Sequence, residues 1–350
     1  MAYNESGNRL PRYVMATIRD VAELAGVSVA SVSRVMNNSR GVQAETRQSV
    51  EEAALELGYV PNEAARSLKL ARSNLLACVI PDVTNPFFPE LVRGIEDIAS
   101  AEGYGTLLCN TDNDSEKEAD YLNLLARRRV DGLLLIPARD ERPPPGLTRL
   151  MDQGSPVVVI DRFLDGFDGD SIAVDNHRGG VLAAEHLIEL GHRKIAIINR
   201  LPDTSTSRLR QEAYEETLAA AGRLDMSLVK LGSYTFDYGR DTARQLLSVE
   251  GDLPTAILAG SDVLAIAALQ VAHELGLRVP HDLSIFGFDR IAMSQLMSPP
   301  LTTVEQPTYE MARLAADLLL MRTRGERTGP GERRILQPTL HVGASTGIPR

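Results

Sequence analysis

The stretch ATIRDVAELAGVSVASVSRVMNN, residues 16–38, decides the fold of the N-terminal part of this chain. Thr17 and Asp20 have the spacing of a capping box, and apolar residues follow at helical intervals up to Gly26, which tolerates the left-handed backbone of a tight turn. Ser28 then suits the N-cap of a second helix that runs to about Asn37. Two short helices joined by a glycine-containing turn predict a helix-turn-helix.

The outer face of the second predicted helix carries small, hydroxylic and cationic side chains. Such a face fits the major groove of DNA, where arginine binds guanine, small apolar groups contact thymine methyls, and hydroxyls bind phosphate. The alternative is an ordinary solvated hairpin of a helical bundle. The candidate DNA contacts of this motif are Thr17, Ser28, Val29, Ala30, Ser31, Ser33, Arg34 and Asn37.

The residues that follow strengthen the DNA-binding interpretation. A third helix is predicted over Thr46–Leu57, and after Pro61 comes a short helix-prone run that begins at Asn62. In this order the segments resemble the lactose-repressor family of bacterial transcription regulators. Residues 16–38 resemble the family's headpiece, with Val29-Ala30 as in galactose-repressor-like members, and GYVPNEAARSLKL, residues 58–70, resembles its linker and hinge helix.

This resemblance implies that two hinge helices of a dimer enter the minor groove and insert a leucine between base pairs. Leu68 occupies that place, with Ala65 and Lys69 beside it. Packing of Leu68 on the core as a linker hydrophobe is the alternative. Further contacts, to the DNA backbone, are expected from Asn38, Arg47 and Tyr59.

From residue 75 onward, apolar runs of strand length alternate with helical patterns. The runs are LLACVIP, GTLLCN, GLLLIP, PVVVI, KIAIIN, PTAILA and LSIFGF. Continuous apolar strands separated by helices predict parallel sheets covered on both faces, and two such sets predict two doubly wound α/β lobes. The predicted fold class is therefore a helical helix-turn-helix headpiece plus a two-lobed core like that of periplasmic binding proteins. The resemblance to the family extends to about residue 345.

Ligands of open α/β sheets bind beyond the carboxyl ends of the strands, so the residues there are candidates for a cleft between the lobes. Carboxylate, guanidinium and aromatic groups converging on one cleft suit a polyhydroxylated ligand. Strand ends alone select Asn85, Phe87, Phe88, Asp161, Arg162, Thr206, Arg210, Ser261 and Asp289. The alternatives are ordinary structural roles as helix caps and ion pairs.

The family resemblance adds Tyr234 and Gln306 to these effector-binding candidates. It also supports four candidates that the strand ends selected, namely Thr206, Arg210, Ser261 and Asp289. It implies a small-molecule effector, most often a sugar, although purine and nucleoside effectors also occur in the family. One departure lies just after Arg210, where residues 211–214 read QEAY in place of the family's usual apolar-x-Gly-aromatic run.

The net charge of −10 at first argues against a nucleic-acid partner. Before residue 74, however, there are 9 Lys and Arg against 8 Asp and Glu, and the remainder has 28 against 39. The acidity therefore belongs to the core, and the nearly neutral N-terminal part remains compatible with DNA. No apolar run approaches membrane-spanning length, and the two cysteines, Cys78 and Cys109, lie in apolar runs typical of a reducing compartment.

Enzymatic activity is not expected, because the sequence has no phosphate-binding glycine loop, no HExxH zinc motif and no nucleophile elbow, and its histidines are scattered singly. No cofactor or metal is predicted. Two alternatives are a transport-type solute-binding protein and a sugar-processing enzyme without a DNA role. The absence of a recognisable signal peptide and the presence of the headpiece count against the first.

The predicted organisation has a flexible arm at 1–15, a headpiece at 16–61, a hinge helix and linker at 62–74 and an effector-binding and dimerisation core at 75–345. The predicted protein is a cytoplasmic repressor that binds a near-palindromic operator as a homodimer and has no membrane partner. A tetramer remains open, as does the sign of the effector's action.

Overall fold

The computed structural model describes residues 16–36, 41–59, 73–128, 130–140, 142–248 and 253–350. It divides into two compact units, Met1–Ser73 and Asn74–Arg350. The predicted arm at 1–15 and almost all of the predicted hinge segment lie outside the described residues.

The described part of the first unit consists of three helices around a small apolar core. They are α1 (Ile18–Leu24), α2 (Val29–Met36) and α3 (Ala44–Glu56). Val21, Val32 and Val50, one from each helix, are fully buried in this core. The predicted helix-turn-helix is confirmed, with Gly26 in the turn at φ +66°. The third helix begins two residues earlier than predicted, because Ala44 and Glu45 favour the helix and Glu45 places an acid in its first turn.

The second unit contains two lobes, each built on a six-stranded sheet. The first lobe has the strand order β11-β5-β4-β3-β1-β2, with all pairs parallel. Its strands are β1 (Leu75–Ile80), β2 (Gly105–Asn110), β3 (Gly132–Leu135), β4 (Val157–Ile160), β5 (Asp170–Val174) and β11 (Arg333–Leu336). Its helices are α4 (Phe87–Ala101), α5 (Ser115–Arg128), α6 (Pro145–Asp152) and α11 (Thr308–Thr323).

The second lobe has the strand order β12-β10-β9-β8-β6-β7, in which only the β10–β12 pair is antiparallel. Its strands are β6 (Ile195–Arg200), β7 (Val229–Gly232), β8 (Ala256–Ala259), β9 (Ser284–Asp289), β10 (Thr302–Glu305) and β12 (Thr339–His341). Its helices are α7 (Asn176–Glu189), α8 (Ser205–Ala220), α9 (Phe236–Leu247) and α10 (Asp262–Glu274), with 3₁₀ turns at Met226–Leu228 and Ala292–Leu296.

The inner strands of both sheets are buried on both faces, whereas β2, at the edge of the first sheet, leaves Leu107 and Leu108 exposed. In β1, Leu76, Cys78 and Ile80 pack toward α4 and α11, whereas Ala77 and Val79 pack toward α5 and α6. This alternation explains why the strands read as continuous apolar runs. All seven predicted strands are confirmed, as is the prediction of two doubly wound lobes.

Five strands and one helix were not predicted. These are α6, β5, β7, β10, β11 and β12. They carry polar residues or lie at sheet edges: β7 (VKLG) is half-buried throughout, and β11 (RRIL) alternates between exposed and half-buried positions. The chain passes between the lobes after β5, after β10 and after β11, so that α11 and β11 belong to the first lobe although β10 and β12 belong to the second. None of the helices in the described ranges is long and apolar enough to cross a membrane.

Candidate functional site

The first turn of α1 is closed by its capping residues. The backbone N–H and the hydroxyl of Thr17 both donate to Asp20 Oδ2, at 2.7 and 2.9 Å. These bonds hold the pKa of the Asp20 carboxyl below its ordinary value. Thr17 is exposed but already bonded within its cap, so its role as a DNA contact stays a prediction.

Helix α2 exposes part of the face that the sequence predicted. Val32 and Val35 point into the core, while Val29, Ala30 and Arg34 are exposed. The Arg34 Nε donates to Ala30 O at 3.4 Å, a long bond that leaves the remaining guanidinium donors on the solvent side. A small apolar surface with one arginine on a short helix is what a major groove accommodates.

The serines of this helix are less exposed than expected. The Ser31 N–H donates to Ser28 Oγ at 3.1 Å, and the two hydroxyls lie 3.0 Å apart, so Ser28 is the N-cap that the sequence predicted. Ser31 and Ser33 are half-buried. The hydroxyls of Ser28 and Ser31 therefore already have a hydrogen-bond partner within the headpiece.

Two of the residues predicted to contact the DNA backbone lie on the described part of the headpiece. Arg47 is half-buried on α3, with its Nη1 3.9 Å from Glu51 Oε1, and Tyr59 packs partly against the headpiece core. The other predicted contacts lie outside the described residues; they are Asn37, Asn38, Ala65, Leu68 and Lys69.

A cavity of about 340 Å³ lies between the carboxyl ends of the strands of the two lobes. Nine of the eleven predicted effector residues line it: Asn85, Phe87, Phe88, Asp161, Arg162, Thr206, Arg210, Tyr234 and Asp289. The strand-end rule therefore identified a real concavity, of a size that suits a small metabolite.

The two other candidates, Ser261 and Gln306, are not among the lining residues. The Ser261 hydroxyl caps α10 by accepting from the Leu264 N–H at 3.4 Å. The Gln306 Nε2 donates to Asp289 Oδ1 at 2.7 Å, so this side chain orients a carboxylate that does line the cavity. Both side chains therefore lie behind the residues that line the cavity.

Arg210 is held in the cleft by three hydrogen bonds and a ring contact. Its Nε donates to Asn176 Oδ1 at 2.8 Å, and its Nη1 donates to Gly260 O at 2.7 Å and to Asp289 Oδ1 at 3.3 Å. The guanidinium also lies 3.6 Å from the centre of the Phe288 ring. Because these contacts come from three elements, the guanidinium is held in one orientation before any ligand arrives.

Two carboxylates, one from each lobe, sit on unusual backbone at strand ends. Asp161 follows β4 with φ +67°, and Asp289 ends β9 with φ +115°. Non-glycine residues at positive φ are strained and concentrate at functional sites. Burial raises the pKa of Asp289 to about 6, against the opposing charge of Arg210, and burial likewise raises the pKa of Asp161. The cleft therefore holds two desolvated carboxylates that a ligand's hydroxyl groups can satisfy.

The sequence reasoning missed Asn199, which organises the second-lobe wall. Its Oδ1 accepts from the Tyr234 hydroxyl at 2.8 Å, and its Nδ2 donates to Gln211 Oε1 at 3.0 Å. A β-carbon on Gly260 would lie 2.0 Å from the same Oδ1, so a larger residue there would displace the Asn199 side chain. Gln211, which departs from the family pattern, thus serves as an acceptor for Asn199 while α8 stays continuous.

Four further lining residues join the two lobes. The Arg200 Nη1 of the second lobe donates to Asn113 Oδ1 of the first at 3.0 Å, and Arg139 of the first lobe contacts Asp203 of the second. Arg200 ends β6, and Arg139 closely follows β3. Extending the strand-end rule to every residue after GLLLIP and KIAIIN would have found both.

Comparison with known proteins agrees with this combination of headpiece and cleft. Residues 17–62 match the family model described as bacterial regulatory proteins, lacI family, and residues 184–346 match a periplasmic binding protein-like domain. The ribose operon repressor of Escherichia coli (strain K12) is 38% identical over 329 residues, which cover 93% of this chain and 95% of that protein. The chain belongs to the lacI family of bacterial regulatory proteins.

Other members of the lacI family are similarly close. The HTH-type transcriptional regulator DegA of Bacillus subtilis (strain 168) is 37% identical, covering 94% of this chain and 98% of that protein. The solved structure of the lac repressor dimer bound to operator and the anti-inducer ONPF matches with a TM-score of 0.83 and 28% identity, covering 95% of this chain and 99% of that one. The chain is therefore a DNA-binding transcriptional regulator with an effector cleft, and it is not an enzyme.

Proposed function

We propose that this lacI-family regulator is a cytoplasmic repressor that binds a near-palindromic operator as a homodimer and responds to a small polar metabolite, such as a sugar, bound between its lobes. The observation that carries the effector part is the cleft itself, where Arg210, Asp161 and Asp289 converge on one cavity of about 340 Å³. The exposed α2 face with Arg34 carries the operator part. The ribose operon repressor and the operator-bound lac repressor dimer are the relatives that support it.

The effector would act by changing the relative placement of the lobes. The lobes are joined by polar contacts, such as the Phe163 N–H donating to Ser205 Oγ at 3.0 Å and the Arg200–Asn113 bond, and by packing of Ile291 against the core of the first lobe. A ligand that binds better to one lobe arrangement than to the other shifts the balance between DNA-binding states. By linkage, operator binding then changes effector affinity by the same factor.

On the DNA, Arg34 would read a base in the major groove, and Arg47 and Tyr59 would contact the DNA backbone. The insertion of Leu68 in the minor groove, with Ala65 and Lys69 beside it, rests on the family resemblance, as do the contacts of Asn37 and Asn38. A two-fold symmetric dimer reads two half-sites related by the same symmetry.

The operator is tested by selecting bound duplexes from a random DNA pool with the full chain. We expect the enriched sequences to share a near-palindrome with two half-sites. Enrichment of sequences without two-fold symmetry would contradict the dimeric operator, and a failure to enrich any sequence would contradict specific DNA binding.

The effector is tested by a thermal-shift screen of sugars, polyols and nucleosides, because a ligand that binds only the folded state raises the melting temperature. Compounds that stabilise the protein are then added to the complex with the selected operator. We expect Arg210→Ala to lose the ligand response and keep operator binding. Arg240→Ala, which removes an arginine paired within α9, is the matched control and should respond as the wild type does.

A further inference from the structure

Asn199 is a fully buried side chain of β6, one residue before Arg200, which lines the effector cavity. Its Oδ1 accepts from the Arg200 backbone N–H at 2.9 Å and from the Tyr234 hydroxyl at 2.8 Å. Its Nδ2 donates to Ser207 O at 3.1 Å and to Gln211 Oε1 at 3.0 Å. Because an amide has two lone pairs and two N–H bonds, the protein itself occupies every hydrogen-bonding site of Asn199.

Two backbone groups fix which way this amide points. The Arg200 N–H can only donate and the Ser207 carbonyl can only accept, so a reversed amide would place like groups against each other at both positions. Asn199 and Ser207 are fully buried, so water would not compensate for these mismatches. The Oδ1 of Asn199 therefore faces Tyr234 in a single orientation.

The side chains of α8 require the same orientation. The Gln211 Nε2 donates to Glu215 Oε1 at 2.7 Å, and a carboxylate can only accept, so the Gln211 amide turns its Oε1 toward Asn199. The apolar residue that is usual in the family at position 211 has no such acceptor. The arrangement around Asn199 therefore goes with the departure of this chain from the family pattern.

The orientation of Asn199 sets the hydrogen-bonding role of Tyr234. The hydroxyl of Tyr234 has one proton, and it is donated to the Asn199 Oδ1. Only lone pairs of the hydroxyl oxygen remain for any other partner. This oxygen can therefore accept a hydrogen bond from a ligand, but it has no proton left to donate.

The hydroxyl end of the Tyr234 ring lies near the charged part of the cavity that the ring lines. Burial raises the pKa of this hydroxyl. The charges of four residues that line the cavity also act on this pKa: Arg162, Arg200, Arg210 and Asp289. A β-carbon on Gly260 would lie 3.2 Å from Tyr234 Cε1, so the glycine leaves room for the ring beside the Asn199 amide. The hydroxyl is thus placed among the groups that a ligand in the cleft contacts.

We propose that Asn199 is a specificity-determining positioning residue, which makes the Tyr234 hydroxyl an acceptor only, so that the effector must present an O–H or N–H group to it. This inference rests on the proposed function, because it concerns how the same cleft selects its ligand. A ligand with an ether oxygen, a carbonyl or a fluorine in that place leaves the Tyr234 oxygen without a donor.

The test measures binding of sugars with single hydroxyl replacements to the full-length protein by calorimetry. The parent compounds are D-ribose, D-glucose, D-galactose and adenosine, and in each analogue one hydroxyl is replaced by fluorine, which cannot donate. We expect at least one parent to have a position where fluorine weakens binding to the wild type by about three- to tenfold. At that position the same replacement should weaken binding to Tyr234→Phe by less than about twofold, because the acceptor is gone.

Asn199→Ala then tests the positioning role. Without the Asn199 Oδ1 the Tyr234 hydroxyl can turn its proton toward the ligand, so the preference for hydroxyl over fluorine at that position should fall below about twofold. A parent and an analogue that are weakened by the same factor would show a merely structural role and overturn the inference. If Asn199→Ala does not fold, the comparison of wild type with Tyr234→Phe still decides whether Tyr234 accepts from the ligand.

The matched control is Tyr309→Phe, which also removes a tyrosine hydroxyl that donates to a side-chain oxygen. Tyr309 donates to Asp97 Oδ2 at 3.0 Å, and neither residue lines the cavity. Tyr309→Phe should keep the preference of the wild type for hydroxyl over fluorine. A loss of this preference in Tyr309→Phe would contradict the assignment to Tyr234.

The failure of this inference is distinguishable from failure of the proposed function. If a parent compound binds and alters operator binding, but no position distinguishes the wild type from Tyr234→Phe, the regulator stands and this inference is overturned. Absence of binding by all four parents overturns it as well. If no compound of any class alters operator binding, the proposed effector response itself fails.

Discussion

Replacing Arg210 by alanine should destabilise the protein in a way that depends on pH. The substitution removes the bonds to Asn176 and Gly260 and the only guanidinium that hydrogen-bonds to Asp289 in the described structure. Asp289 is 7% exposed, and its carboxyl then remains buried without a counter-charge. Breaking a buried ion pair in this way costs about 3–5 kcal/mol of unfolding free energy.

The pH dependence follows from the pKa of Asp289. In the wild type this pKa is raised by burial to about 6 and opposed by Arg210, so removal of Arg210 raises it further. Above pH 6 the folded variant then holds a proton that its unfolded chain has released, and its stability falls as the pH rises. For one proton the slope reaches about 1.4 kcal/mol per pH unit, so the deficit should grow by up to about 2–3 kcal/mol between pH 6 and pH 8.

The assay is urea unfolding of four proteins at pH 6 and pH 8: wild type, Arg210→Ala, Asp289→Asn and the double variant. In the Asp289→Asn background the carboxyl is absent, so Arg210→Ala should lose most of its pH dependence, and the coupling energy should be about 1–3 kcal/mol. A smaller pH dependence of the stability remains, because the charge of Arg210 also lowers the pKa of Asp161. An Arg210→Ala deficit that is the same at both pH values, and additive with Asp289→Asn, would refute the reasoning.

Two further predictions concern other parts of the chain. Arg34→Ala should weaken binding to the selected operator by about 1–3 kcal/mol and affect random DNA much less, as measured by fluorescence anisotropy; equal losses on both would assign Arg34 to phosphate contacts. Glu118 accepts from the Ala138 N–H at 2.6 Å, and burial raises its pKa from 4.5 to about 7. Glu118→Gln can keep that bond, so it should stabilise the protein by up to about 3 kcal/mol above pH 7, with the gain lost as the pH falls from 7 to 4.5; no gain at pH 8 would contradict this.

Local sequence patterns were sufficient to predict much of the architecture. The capping residues Thr17 and Asp20, the turn at Gly26 and the seven apolar strand runs appear in the structure as predicted. These features depend on near neighbours in sequence, through capping, turn conformation and burial on both sheet faces. The strands that were missed, such as β7 and β11, lie at sheet edges or carry polar residues, where local patterns do not distinguish a strand from a loop.

Some residues of the cleft could be predicted from the sequence, and others could not. The rule that ligands bind at strand ends identified Asp161, Arg210 and Asp289 as neighbours before any contact was known. It could not separate Ser261, which caps a helix, from residues that reach the cavity, because the direction of a side chain at a strand end depends on the following turn.

The sequence by itself determined the helix-turn-helix, the two α/β lobes and the membership of the lacI family, because each is encoded in contiguous segments whose propensities agree. Only the tertiary structure decided that three passages of the chain between the lobes place Arg139 of one lobe on Asp203 of the other. It also decided that the buried Nε of Arg162 has no hydrogen-bond partner among the described residues. Charge compensation is a property of groups brought together from distant parts of the chain, so no local pattern contains it.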